Sequence, residues 1–178
     1  MRFSMAINYH KPCYNSSMRI LGIDPGIGIC GYSIIDFEGG EYTLVSSGAI
    51  KTDKDAPTGA RLLEIFNDIC EICTGFKPDC ASVEQIFFFK NQKTIIPVAQ
   101  AKGVILCALE KMGVAASEYT PMQVKLTMTG HGRASKDEVK IMVEKFVTIG
   151  QNIKSDDTID SIAIALTHAR SLSLVRCT

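Results

Sequence analysis

Hydrophobic positions along the chain alternate with polar ones, or run unbroken for a few residues, in five segments that predict β-strands. Three come early and are separated by short turns, of which the Gly39-Gly40 pair is the clearest. Short connections between successive strands predict an antiparallel meander. The five predicted strands are 19–24, 30–37, 42–51, 80–85 and 114–119.

Four other segments carry apolar residues at the spacing of one helical face. Two are the ranges 58–76 and 94–112, the second with Pro97 in its first turn. A third opens at Ser135, where Glu138 three residues later completes the signature of a capping box, and the last opens at Ser155. The order β-β-β-α-β-α-β-α-α predicts an α/β fold, with one mixed sheet and helices on both faces.

The ends of the chain lack this patterning. Residues 1–17 have no periodicity and are interpreted as an N-terminal extension, 18–174 as a single domain and 175–178 as a tail. No segment approaches the roughly 20 apolar residues of a membrane span, so we expect a cytoplasmic protein without a membrane partner.

Composition adds little, because 46% hydrophobic residues and a formal net charge of zero describe an ordinary globular domain. The charge is uneven, however: residues 87–145 hold nine basic and five acidic residues, which permits a basic face. The seven cysteines are an odd number and suggest free thiols. Cys70 and Cys73 form a lone CxxC that favours core packing over metal or redox use, since no second ligand pair accompanies it.

Four carboxylates fall at places where chemistry is expected. Asp24 ends the first strand in LGIDPG, and Glu84 ends the fourth in CASVEQ. Asp157 and Asp160 are three residues apart in the first turn of the last helix, and therefore on one face. If strands one and four are neighbours, all four acids meet at one end of the sheet.

Each acid also has an ordinary structural interpretation. Asp24 would stabilise its turn, Glu84 would be an edge residue, and Ser155 or Asp156 would cap the helix. Taken together, the acids form an all-oxygen cluster without a histidine pair or a thiolate, which favours Mg²⁺ or Mn²⁺ over zinc. A divalent cation would offset their mutual repulsion.

Five stretches resemble, in order and spacing, the RuvC crossover junction endodeoxyribonucleases, which are Holliday junction resolvases of the RNase H-like superfamily. They run between about Arg19 and His168 and read ILGIDPGIGICGYSII, VEQIFFFKN, AQAKGVIL, QVKLTMTGHGRASKDEV and DDTIDSIAIALTH. The resemblance implies an RNase H-like, mixed five-stranded sheet. It also implies hydrolysis of DNA phosphodiesters with two Mg²⁺ ions, Mn²⁺ being a substitute, which leaves 5′-phosphate and 3′-hydroxyl ends.

The family's metal-binding acids correspond to Asp24, Glu84, Asp157 and Asp160, and Asp156 is then a neighbour that does not ligate. The resemblance places Lys125 and Lys136 near the scissile phosphate, where a cation would stabilise the transition state. It also implies that Phe87 stacks on an unpaired base. Further contacts with DNA are expected from the residues Lys90, Lys93, His131 and Arg133.

The resemblance implies four-way junction DNA and the motor proteins RuvA and RuvB as partners. Paired nicks in strands of like polarity imply a symmetric homodimer, for which helix 94–112 offers apolar surface and residues 100–103 would allow close approach. Three alternatives stay open: an RNase H-like nuclease acting on another structured or hybrid nucleic acid, an actin-like ATPase or sugar kinase, and a non-catalytic junction-binding module. The chain length disfavours the second, and the intact set of acids disfavours the third.

Overall fold

A computed structural model describes residues 17–86, 92–148 and 156–175. Its five strands are β1 (Ser17–Asp24), β2 (Ile29–Glu38), β3 (Glu41–Lys51), β4 (Cys80–Glu84) and β5 (Ala115–Tyr119). They form one sheet in the order β3-β2-β1-β4-β5. The first three strands pair antiparallel, whereas β4 pairs parallel with both β1 and β5. The predicted meander is confirmed, and the condition set for the acids to meet, that strands one and four are neighbours, is fulfilled.

Helices cover the two faces of this sheet, as predicted. They are α1 (Thr58–Phe76), α2 (Gln92–Lys111), α3 (Pro121–Thr129), α4 (Lys136–Phe146) and α5 (Asp156–Val175). One cluster of buried side chains joins α3, α4 and α5 to one face, and a second joins α1 and α2 to the other. The central strand β1 contributes to both clusters, because successive strand residues point to opposite faces.

The sequence analysis missed α3. This helix has a weak apolar pattern, since Met122 and Leu126 are 66% and 53% exposed, and it is specified by its start instead. Thr120 and Gln123 form a capping box ahead of Pro121 at the first helical position. A second difference concerns α2, which begins at Gln92, so that Pro97 lies inside the helix and not in its first turn. The predicted capping box of Ser135 and Glu138 is confirmed at the start of α4.

Two glycines let α5 lie directly on the sheet. A Cβ at Gly22 in β1 would fall 2.2 Å from the carbonyl oxygen of Ser161, and one at Gly31 in β2 would fall 2.1 Å from that of Asp157. Any larger residue at either position would therefore push the helix away from the sheet. This close contact fixes the first turns of α5, which carry the predicted acids, against β1 and β2.

The cysteines within the described part of the chain are free thiols. Cys73 is buried and Cys70 packs beside it in the core formed with α1 and α2. The interpretation of the CxxC pair as core packing is confirmed. None of the described helices has both the length and the apolar character that a membrane span needs.

Candidate active site

Two of the predicted acids lie side by side because their strands are parallel neighbours. Ile23 and Val83 are partners in the register of β1 and β4, and Asp24 and Glu84 are the next residue on each strand. Both side chains are half-buried, and each carboxyl group influences the pKa of the other. The carboxyl ends of these strands therefore present a pair of acids to one edge of the sheet.

The acids of α5 complete the group. Asp157 and Asp160 face the same cavity as Asp24 and Glu84, and this cavity has a volume of about 360 Å³. The other residues that line it are Pro121, Val124, Lys125, Lys136, Val139 and Ile164. The four acids that the sequence analysis selected thus meet at one site, whereas Asp156 does not line it.

Burial and mutual repulsion keep part of this cluster protonated. Burial, together with the negative charge of Glu84 and the acids of α5, raises the pKa of Asp24 to about 8. Burial and the charge of Asp160 raise the pKa of Glu84 to about 7. The positive charge of Lys136 opposes both shifts. The protein therefore holds an excess of negative potential at this edge, which a cation would relieve.

Two lysines line the cavity, one from α3 and one from α4. Lys136 is the first residue of α4, and its Nζ lies 3.0 Å from Oδ2 of Asp160. The hydrogen bond to Asp160 raises the pKa of Lys136, so the side chain stays cationic. A cation at a helix N-terminus opposes the helix dipole, and here the nearby carboxylates offset that cost. Lys125 on α3 lines the same cavity.

The donor chemistry of the cavity fits a hard divalent cation. Its potential ligands are carboxylate oxygens, and the residues that line it include neither a histidine nor a cysteine. In the described residues, no group of three or more His, Cys, Asp or Glu side chains is placed to hold an ion in the present rotamers. Lys136 occupies one oxygen of Asp160 instead. A cation that binds Asp160 would use its other carboxylate oxygen or displace the lysine from Oδ2.

Two of the other predicted DNA contacts lie outside the cavity. His131 and Arg133 are exposed in the connection between α3 and α4 and do not line the cavity. The Nε2 atom of His131 lies 3.5 Å from a carboxylate oxygen of Glu138. Phe87 and Lys90 lie outside the described residues, and the backbone of Lys93 belongs to the first turn of α2.

Metal-free stability should depend on pH in a direction set by these pKa shifts. The native state retains protons that the unfolded chain has released, on Glu84 up to about pH 7 and on Asp24 up to about pH 8. The free energy of unfolding should therefore fall as pH rises to about pH 8 and level off above it. His168, whose pKa is lowered to about 4 by burial, contributes an opposite slope only below about pH 6.5. Thermal unfolding in EDTA between about pH 6.5 and about pH 8.5 would measure the slope.

Addition of Mg²⁺ provides the control. Because the ion binds the ionised acids, it should raise the Tm more at the alkaline end of the range than at the acidic end. A metal-free Tm that stays constant from about pH 6.5 to about pH 8.5 would contradict the raised pKa values.

The mixed sheet, with carboxylates at the ends of β1 and β4 and on α5 and with lysines on α3 and α4, defines an RNase H-like nuclease. A family model, "Crossover junction endodeoxyribonuclease RuvC", matches residues 20–168. The chain belongs to this family.

Relatives agree with this assignment along most of the chain. Proteins named crossover junction endodeoxyribonuclease RuvC from Fusobacterium nucleatum and Brevibacillus brevis are each 44% identical to it, over 155 and 153 residues. These alignments cover 87% and 86% of this chain and 82% and 92% of the relatives. The structure of Thermus thermophilus RuvC in complex with a Holliday junction substrate is 33% identical and superposes with a TM-score of 0.83, covering 89% of this chain and 96% of that one.

Proposed function

We propose that this protein resolves Holliday junctions in DNA recombination and repair by paired, Mg²⁺-dependent nicking of strands of like polarity. The observation that carries the proposal is the convergence of four acids and two lysines in one cavity of a RuvC-family fold. Further support comes from the Thermus thermophilus relative, whose structure is described as a complex with a Holliday junction substrate.

The acids are assigned to metal binding. Asp24, Glu84, Asp157 and Asp160 would hold two Mg²⁺ ions, with Mn²⁺ as a substitute. When bound, the ions supply activation of water and stabilisation of the leaving 3′-oxygen. Because burial and neighbouring charges raise the pKa of Asp24 and of Glu84, the pair would release protons on binding the ions.

The lysines are assigned to the phosphate. Lys136 is exposed on one side and contacts Asp160 on the other, so its ammonium group is placed to bind a phosphate oxygen beside the acids. Lys125 would add a second cation from α3. Both charges stabilise the extra negative charge that develops on the phosphate as water adds and the 3′-oxygen departs. The products are a 5′-phosphate and a 3′-hydroxyl.

Contacts with the junction outside the cavity are assigned to basic and aromatic residues. His131 and Arg133 are exposed in the α3–α4 connection and would contact phosphates. Phe87, Lys90 and Lys93 are assigned from the family resemblance, with Phe87 stacking on an unpaired base near the junction centre.

A homodimer would place two such cavities on a substrate with near two-fold symmetry. The exposed face of α2 is the proposed contact, and it includes Ile96, which is 67% exposed, and Gly103. Of the residues expected to allow close helix approach, Ala101 is instead fully buried and Lys102 pairs with Glu118. Gln100 and Gly103 are therefore the part of that segment left for a partner.

RuvA and RuvB are proposed as further partners from the resemblance alone. A cytoplasmic location is proposed because the described cysteines are free thiols, as is usual in a reducing compartment.

Nicking of labelled substrates tests the function. With Mg²⁺, the protein should make paired nicks in a four-way junction and leave linear duplex and RNA–DNA hybrid intact, and EDTA should abolish cutting. Cutting of the hybrid without the junction would retain the chemistry and replace the substrate with another structured or hybrid nucleic acid. Junction binding without cutting of any substrate would reject the nuclease function.

A further inference from the structure

A partly buried polar network joins β5 to α5. The hydroxyl group of Tyr119, the last residue of β5, lies 2.8 Å from Nδ1 of His168 and 2.8 Å from Oγ of Ser171. The rings of Tyr119 and His168 also meet edge to face, with centroids 5.8 Å apart. His168 is only 6% exposed, and burial lowers its pKa to about 4, so the ring is neutral.

The contacts within this network determine which group donates and which group accepts in each hydrogen bond. The hydroxyl of Ser171 donates to the carbonyl oxygen of His168, at 2.7 Å. Ser171 is therefore left to accept from Tyr119, and Tyr119 accepts from the protonated Nδ1 of His168. Each hydrogen bond in the chain then has one donor and one acceptor. Such a network holds its members in a single arrangement.

Tyr119 also has a backbone role beside the active site. It is the partner of Glu84 in the register of β4 and β5, and its carbonyl oxygen accepts a hydrogen bond from the amide of Gln85 at 2.8 Å. The next residue, Thr120, caps α3, which carries Lys125 into the cavity. Tyr119 thus pairs with the strand that carries Glu84 and directly precedes the cap of the helix that carries Lys125.

On α5, His168 is the residue that connects this network to the helix carrying the acids of the active site. It lies eight residues after Asp160, at i+4 and i+8 spacing along the face that also includes the cavity residue Ile164. The glycine contacts described above fix the first turns of α5 on β1 and β2. Because β5 is an edge strand, paired on one side only, its side-chain link to α5 restrains the opposite flank of the site.

We propose that Tyr119, through its hydrogen bonds with His168 and Ser171, is a positioning residue that sets the separation between Glu84 and the acids of α5 and thereby the affinity of the site for divalent cations. This inference rests on the proposed metal-dependent nuclease function. Tyr119 itself contacts neither metal nor DNA in this proposal. It acts by joining the two elements that carry the ligands.

The test replaces Tyr119 by Phe, which keeps the ring and removes the hydroxyl. Mn²⁺ binding to the full chain without DNA, followed by electron paramagnetic resonance, should weaken by about 10-fold, the lower end of what loss of an outer-shell partner costs. The Mg²⁺ concentration for half-maximal junction cutting should rise by a similar factor. Junction affinity in EDTA should stay unchanged. Ser171→Ala, which removes the acceptor of the tyrosine proton and leaves the Tyr119–His168 hydrogen bond in place, should shift both midpoints in the same direction by less.

Thr167→Val is the matched control, because it removes a buried hydroxyl of α5 whose hydrogen bond, 2.8 Å to the carbonyl oxygen of Ala163, stays within the helix. It should bind Mn²⁺ as the native chain does. Equal metal midpoints for Tyr119→Phe and the native protein would overturn the inference, and so would equal losses in Tyr119→Phe and Thr167→Val.

The two proposals fail differently. A native protein that binds Mn²⁺ but cuts no junction, with weaker Mn²⁺ binding in Tyr119→Phe, would remove the proposed function and support the positioning role. Normal cutting by the native protein and by Tyr119→Phe, with the same metal dependence, would support the proposed function and reject the positioning role.

Discussion

Replacement of Asp24 by Asn is expected to abolish junction cutting and, at the same time, to stabilise the metal-free protein. Loss of a metal-binding carboxylate should lower the cutting rate by at least about 10³-fold, since bound ions supply several kcal/mol of transition-state stabilisation. The amide removes a half-buried group that repels three other acids, and whose pKa is raised to about 8 by burial and that repulsion. At about pH 8 the gain should be about 2 kcal/mol, or roughly 5 °C in Tm.

Asp156→Asn is the control for this experiment. It also replaces an aspartate by its amide, but in the first turn of α5 and at a position that does not line the cavity. It should cut normally. Single-turnover cutting, junction binding in EDTA and thermal unfolding would be measured on both variants. Parallel loss of junction binding and of Tm in Asp24→Asn would indicate a folding defect and contradict the assignment.

The opposite effects of one substitution on activity and stability follow from how the site is built. Asp24 and Glu84 lie side by side because β1 and β4 are parallel neighbours, and Gly22 and Gly31 bring α5 down upon them. Backbone packing thus forces the acids together against their repulsion. The strain is stored where a cation is expected to bind.

The fold was predictable because its elements are specified locally. Unbroken apolar runs identified β1 and β4, and Gly39 and Gly40, both at positive φ, identified the turn of the meander. The boundary of α2 and the existence of α3 were not predicted. In α2, Pro97 suggested that the helix starts nearby, whereas it lies inside the helix. In α3, the two large apolar residues Met122 and Leu126 are exposed, so the helix lacks a simple amphipathic pattern.

The acids of the site could be selected from sequence because each one lies at the end of a strand or in the first turns of a helix. A partly buried carboxylate at such a place is costly unless it has a partner. Their convergence depended on the pairing of β1 with β4, which the sequence analysis could state only as a condition. The ion pair of Lys136 with Asp160 and the network of Tyr119 with His168 were not predicted. Both join residues far apart in the chain, and no local pattern reports such contacts.

Replacement of Lys136 by Gln is expected to lower the rate of junction cutting by about 10²- to 10³-fold, the usual cost of removing one preorganised group that stabilises transition-state charge. The side chain is 69% exposed, so its pair with Asp160 contributes little to stability. Junction affinity should change little, because one phosphate contact is a small part of the total. Single-turnover rates and binding in EDTA would separate the two effects.

Lys140→Gln provides the comparison, since Lys140 is exposed one turn later on α4 and does not line the acid cavity. If Lys136 were only a solvated residue of the first turn, the two variants would cut equally well. The active-site assignment also requires a second consequence that Lys140→Gln should lack. The charge of Lys136 lowers the pKa of Asp24 and Glu84, so its removal should raise both pKa values further. The metal-free protein should then lose more stability between about pH 6.5 and about pH 8.5 than the native chain does.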